Sequence, residues 1–100
     1  MRTKRAEYRL SPKAVRDLES IWSYTFGEWG IDQANRHIND LTAAFDRIAA
    51  GPQIASACDH IRIGYRRLSV GRHVIYFRAK NFGVEVIRVL HAKIDAERYF

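Results

Sequence analysis

One hundred residues, 47% hydrophobic and 12% aromatic, have the make-up of a folded globule, and this length leaves no second core, so residues 1–100 are expected to form a single domain. The net charge of +6 sits entirely in the later part: residues 1–60 carry eight Lys/Arg against eight Asp/Glu, whereas residues 61–100 carry nine against three. One cysteine, Cys58, allows no internal disulfide; no apolar run approaches the about 20 residues that span a bilayer, and MRTKRAEYRL lacks the apolar core of a signal peptide, so a cytoplasmic protein without a membrane role is expected.

In chain order, Glu7–Leu10 reads as a short strand. Ser11-Pro12 is a strong helix start, because serine supplies the capping oxygen and proline at the first helical position has no donor to waste. Val15, Leu18, Trp22, Thr25 and Trp29 recur at helical spacing, and Gly30 stops the helix. Asp32 is the next N-cap candidate. Ala34, Ile38, Leu41, Phe45 and Ile48 then form an apolar stripe that Gly51-Pro52 ends. About three residues join the helices, which predicts an antiparallel hairpin.

Residues 52–60 read as a loop. Three strands follow, roughly 61–68, 72–79 and 83–90, with turns at Ser69-Val70-Gly71 and Lys80-Asn81-Phe82-Gly83. Asp95–Arg98 starts a last helical turn. The expected fold is α+β, in the order β-α-α-β-β-β, with the helical hairpin on one face of a mainly antiparallel sheet. Alternation in the last strand points Val84, Val86 and Leu90 one way and Glu85, Ile87, Val89 and His91 the other. Neither set is fully polar, so the face without helices is expected to keep apolar surface for a partner.

Few motifs carry chemistry. Cys58 and His60, with His73 and His91 on later strands, lack the paired spacing of a zinc site, so no metal is expected. No G-x-S-x-G elbow and no phosphate-binding glycine loop occurs, so no cofactor is expected. The basic stretch is stronger: Arg66, Arg67, His73, Arg78, Arg88 and His91 lie on three adjacent strands, interleaved with Tyr65, Tyr76, Phe77 and Tyr99. Such a sheet suits an acidic protein or RNA, with arginines holding phosphates and rings stacking bases. Because strand side chains alternate, Arg66 and Arg67 cannot face the same partner. On the first helix, Trp22 and Trp29 share the core-facing stripe, whereas Tyr24 and Phe26 lie off it and are the candidates for exposure. No recognition-helix motif is present, so sequence-specific DNA binding is not expected.

These segments together name a family. LSPKAVRDLESIWSYT in the first helix, WGIDQA at the interhelical turn, GYRRLSVGRHVIYFR in the middle hairpin and VEVIRVLHAKID at the end resemble ParE-type toxins of the RelE/ParE superfamily, in order and over nearly the whole length. The resemblance implies the toxin of a type II toxin–antitoxin module that inhibits DNA gyrase and blocks replication. It also implies a ParD-like antitoxin whose acidic C-terminal segment wraps the toxin. On this reading Tyr24, Phe26, Arg66, Arg67, His73, Arg78, Arg88 and His91 contact partners, and the chain has no catalysis of its own. The alternative is a ribosome-dependent mRNA endonuclease of the RelE type, using Arg66, Arg67, His73, His91 and Tyr99. There the pattern is incomplete: His73 stands where that branch usually has arginine, Ala92 falls where it has another, and Arg98 stands at its tyrosine position beside Tyr99.

Overall fold

Ser11 joins the first helix to the sheet. In the computed structural model, which describes residues 6–100, helix α1 spans Pro12–Trp29. Ser11 Oγ accepts from the Ala14 N–H at 3.0 Å, closing the first helical turn as its position predicts. The same hydroxyl donates to the Ile87 carbonyl at 2.7 Å, and the Ser11 N–H reaches the Val86 carbonyl at 2.9 Å. One residue thus caps a helix and satisfies two carbonyls of a distant strand.

Helix α2 spans Ile31–Ala50. Gly30 alone connects the helices, not three residues, at φ 89°, which favours glycine. The second helix therefore starts earlier than expected: Gly30 is the N-cap, and Asp32 sits inside the first turn, where its charge suits the helix dipole. The stripe on α2 is as predicted: Ala34, Leu41, Phe45 and Ile48 are fully buried and Ile38 packs beside them. The stripe on α1 is not. Ala14, Leu18, Ile21 and Thr25 face the core, while Val15 and Trp29 are exposed. Leu18 and Thr25 belong to both faces, while Ala14 and Ile21 take the places expected of Val15 and Trp22, so the true face is turned by about half a residue step, roughly 50° around the helix.

Strands β1 (Glu7–Leu10), β2 (Ser56–Ala57), β3 (Tyr65–Val70), β4 (His73–Lys80) and β5 (Gly83–His91) form one sheet in the order β1-β5-β4-β3-β2. Only the β1–β5 pair is parallel. The expected fold thus stands, with two changes. Residues 61–64 form turns and not the start of β3, and two residues of the supposed loop pair with Arg66 and Arg67 as β2.

A β-bulge corrects the faces of β5. Tyr76 pairs with Arg88, but Phe77 pairs with Val86, so Ile87 is the extra residue. One extra residue reverses the alternation. Val84, Val86 and Val89 consequently pack under the helices, and Leu90 turns to the other side. Expectation had placed Leu90 with Val84, and Val89 opposite.

The face away from the helices is also covered. Cys58, Val74, Tyr76, Leu90 and Ala96 form a second small core, with Ile61, Tyr65 and Phe100 against it. The short 3₁₀ turn Ala96–Tyr99 stands where a last helical turn was expected, and it brings Phe100 between Tyr65 and Tyr76, at ring distances of 5.6 and 5.2 Å. Most of the apolar surface assigned to a partner is buried by the chain's own final residues. Among the described residues no helix is long and apolar enough to cross a membrane.

Candidate functional site

Three histidines from three elements meet at one end of the β4–β5 pair. His37 comes from α2, His73 begins β4, and His91 ends β5 opposite His73. His37 Nε2 and His73 Nδ1 are 2.9 Å apart, so one ring donates and the other accepts. The His73 and His91 rings meet edge to face at 5.5 Å, and His91 Nδ1 accepts from the Lys93 N–H at 3.1 Å. Burial, and then the proximity of His37 and of His91, push the His73 imidazole down to about 4, so it is neutral at physiological pH.

The three rings border a cleft of about 560 Å³, walled by Tyr24 and Trp29 from α1, Gln33, and Arg72 from the β3–β4 turn. Tyr24 and Trp29 are each 69% exposed. No carboxylate lines the cleft among the described residues. Arg72 has no ion-pair partner among the described residues.

A second pocket adjoins the first and shares Tyr24, His73 and His91 with it. Its wall holds the one well-buried ion pair among the described residues. Arg88 Nε and Nη2 donate to the two Asp17 oxygens at 2.8 Å each, and the Val89 N–H donates to Asp17 Oδ2 at 2.9 Å. Asp17 lies on the buried side of α1 and occupies the edge of β5 just past the last β1 pair, so a side chain replaces a strand there. These hydrogen bonds hold Arg88 charged by raising its pKa. The Tyr99 ring lies 5.3 Å from the Arg88 guanidinium.

The residues nominated from sequence separate into groups. His73 and His91 share the cleft with Tyr24. Phe26 is 47% exposed and stacks on Trp22 with ring centroids 5.1 Å apart. Arg66 and Arg67 point to opposite faces, as alternation requires. Arg66 lies on the helix side, where its Nη1 donates to the Ala55 carbonyl at 2.8 Å, and Arg67 is exposed beside Tyr76. Arg78 pairs with Glu85 at the surface, and Arg88 is taken by Asp17. Of the five residues a nuclease would use, His73, His91 and Tyr99 line one pocket, while Arg66 and Arg67 stand elsewhere on the sheet. Cys58 is fully buried and its thiol is pushed up by that burial. Among the described residues no group of three or more His, Cys, Asp or Glu is placed to hold a metal ion.

Sequence reasoning missed His37, Arg72 and Asp17. His37 had a signal: it follows Ala34 by three and precedes Leu41 by four, which puts it on the buried stripe. Asp17 likewise falls between Ala14 and Ile21 on the core-facing side of α1, where an isolated carboxylate needs a partner.

The chain matches the family described as the ParE toxin of type II toxin–antitoxin systems, parDE, over residues 8–96. This chain belongs to the ParE toxin family. Toxin ParE1 of Mycobacterium tuberculosis H37Rv is 47% identical over 94 residues, covering 93% of this chain and 96% of that protein. Toxin ParE1 of Caulobacter vibrioides is 39% identical over 92 residues, covering 92% and 95%. A solved structure of the chromosomal ParDE system from P. aeruginosa superposes with a TM-score of 0.77 at 16% identity, covering 91% of this chain and all of that one; at such identity it speaks for the fold alone. The span that marks this chain as a ParE toxin contains all three cleft histidines and ends before Tyr99 and Phe100.

Proposed function

We propose that this ParE toxin binds DNA gyrase and stalls replication, and that a ParD-like antitoxin neutralises it by laying an acidic segment over the helical hairpin and the adjoining cleft. Membership of the ParE family carries the reading. Gyrase makes the DNA break in this scheme, and the toxin shifts the population towards the broken complex, so no catalytic group is required of the chain. The surface supports a partner of this kind. Tyr24, Phe26 and Trp29 offer exposed aromatic area on α1, and Arg72, without an ion-pair partner among the described residues, adds positive charge beside them. Aromatic and arginine side chains are the usual anchors of protein interfaces.

The alternative, ribosome-dependent cleavage of messages, has less support. It would need positive charge focused on a phosphodiester, but Arg66 is held by the Ala55 carbonyl and Arg67 faces away from the histidines. Expression of the chain in bacteria separates the two readings. DNA breaks with a DNA-damage response are expected, with messages left whole. Cut messages with translation arrest and intact DNA would replace gyrase with the ribosome.

A further inference from the structure

The histidine cleft has a charge pattern that the chain does not balance by itself. Arg72 and three imidazoles line it, Tyr24 adds a phenol, and no carboxylate faces it among the described residues. In the adjoining pocket, both Asp17 oxygens are taken by Arg88 and the Val89 N–H, and Tyr99 lies against Arg88. Lys93 donates its backbone N–H to His91. A proton added to His73 therefore meets a cation and two other imidazoles, with no anion lining the cleft among the described residues to offset it. That arrangement disfavours the charged form of His73 in the free chain. It also defines what would complete the site: one negative charge, delivered past Tyr24 and Trp29, with an apolar stem to lie on their rings.

We infer that the His37–His73–His91 cleft receives an acidic side chain of the antitoxin and takes up a proton as it does so. This rests on the antitoxin reading above and adds to it a site and a pH dependence. A carboxylate beside Arg72 and His73 pairs with the first directly and makes the second easier to charge. The His37–His73 hydrogen bond survives protonation, because an imidazolium donates to a neutral imidazole as well as a neutral ring does. Binding and proton uptake are then linked, and the antitoxin is held more tightly as the pH falls.

The sign follows from the imidazole. Free His73 titrates at about 4. An adjacent carboxylate raises such a group by about 1–3 units. Across the interval between the two values each proton taken up tightens the complex, while the partner carboxylate stays ionised.

The test is the affinity of the full-length chain for its cognate antitoxin as a function of pH, with calorimetry in two buffers of different ionisation enthalpy. Between about pH 8 and about pH 5 the dissociation constant should fall about tenfold, with more than about half a proton taken up near pH 5.5. His37→Gln and His73→Gln should each flatten the profile and abolish uptake, and His60→Gln, on the exposed loop, should change neither. Should His73→Gln fail to fold, His37→Gln and His91→Gln carry the same comparison. Tight binding that is flat in pH, or a profile unchanged in the cleft variants, would overturn the cleft assignment and leave the antitoxin reading standing. No binding at any pH would overturn both.

Discussion

At the scale of single residues, the ion pair between Asp17 and Arg88 is the most consequential contact. Both side chains are about one-seventh exposed, at 13% and 15%, so the pair is largely shielded from water. Asp17 also closes the Val89 N–H, which no strand can reach. Asp17→Ala leaves a shielded guanidinium and an open backbone donor, and should cost about 2–4 kcal/mol. Chemical unfolding would register this as a lower midpoint at unchanged slope. Arg88→Met alone should cost less than Asp17→Ala, because methionine fills the space while Asp17 keeps its backbone donor. His73 gives a second residue-level expectation. Its folded value of about 4 lies below the ordinary 6.5. Between those values the unfolded chain binds more protons, so stability is lost as the pH falls from about 6.5 towards 4. After allowance for the partial exposure of the ring, the loss is about 1–2 kcal/mol. Melting curves of the wild type and of His73→Gln should converge as the pH falls through this window, since only the wild type has this loss to suffer.

At the scale of elements, β1 depends on Gly83. The residue has φ 144°, and a Cβ there would lie 1.9 Å from the Glu7 carbonyl oxygen. Parallel pairing of β1 with β5 begins at this contact. Gly83→Ala should therefore push β1 away and cost about 2–3 kcal/mol. Amide exchange would report it locally, with protection lost from Tyr8 to Leu10 before the rest of the sheet. What the sequence made legible, and what it hid, divides along these lines. The α2 stripe could be read because its apolar residues are large and their period is unbroken. The α1 stripe was read partly off its true face because that face uses Ala14, whose hydropathy is weak, while Val15, Trp22 and Trp29 recur at helical spacing on its outer flank. Aromatics at helical spacing pull the reading towards themselves whichever way they point. The bulge at Ile87 leaves no local mark, since an extra residue is defined only by the strand beside it. Strand β2 was invisible for a related reason: two residues form a strand only because Arg66 and Arg67 pair with them. The cleft was half legible. His73 and His91 could be named from their strands, but their meeting with His37 depends on how the hairpin lies across the sheet.

At the scale of the whole molecule, the charge imbalance bears on how the chain meets its partner. The later residues hold a surplus of six positive charges. Four arginines of the described chain have acidic partners, namely Arg9, Arg78, Arg88 and Arg98, and only the Arg88 pair is well shielded. Arg67 and Arg72 are exposed and have no acidic partner among the described residues. A field of one sign speeds the approach of an oppositely charged segment more than it strengthens the final complex. Salt screens such a field over about 10 Å at 0.1 M. The association rate with an acidic antitoxin should therefore fall about tenfold or more between about 0.05 and 0.5 M salt. The dissociation rate, which the proposed docking assigns to aromatic contacts of Tyr24, Phe26 and Trp29, should change far less. Arg67→Glu and Arg72→Glu should each slow association, but only Arg72→Glu, at the cleft, should also speed release. Stopped-flow mixing across the salt series separates these effects. An association rate independent of salt would mean that the positive surplus of residues 61–100 does not steer the antitoxin at all.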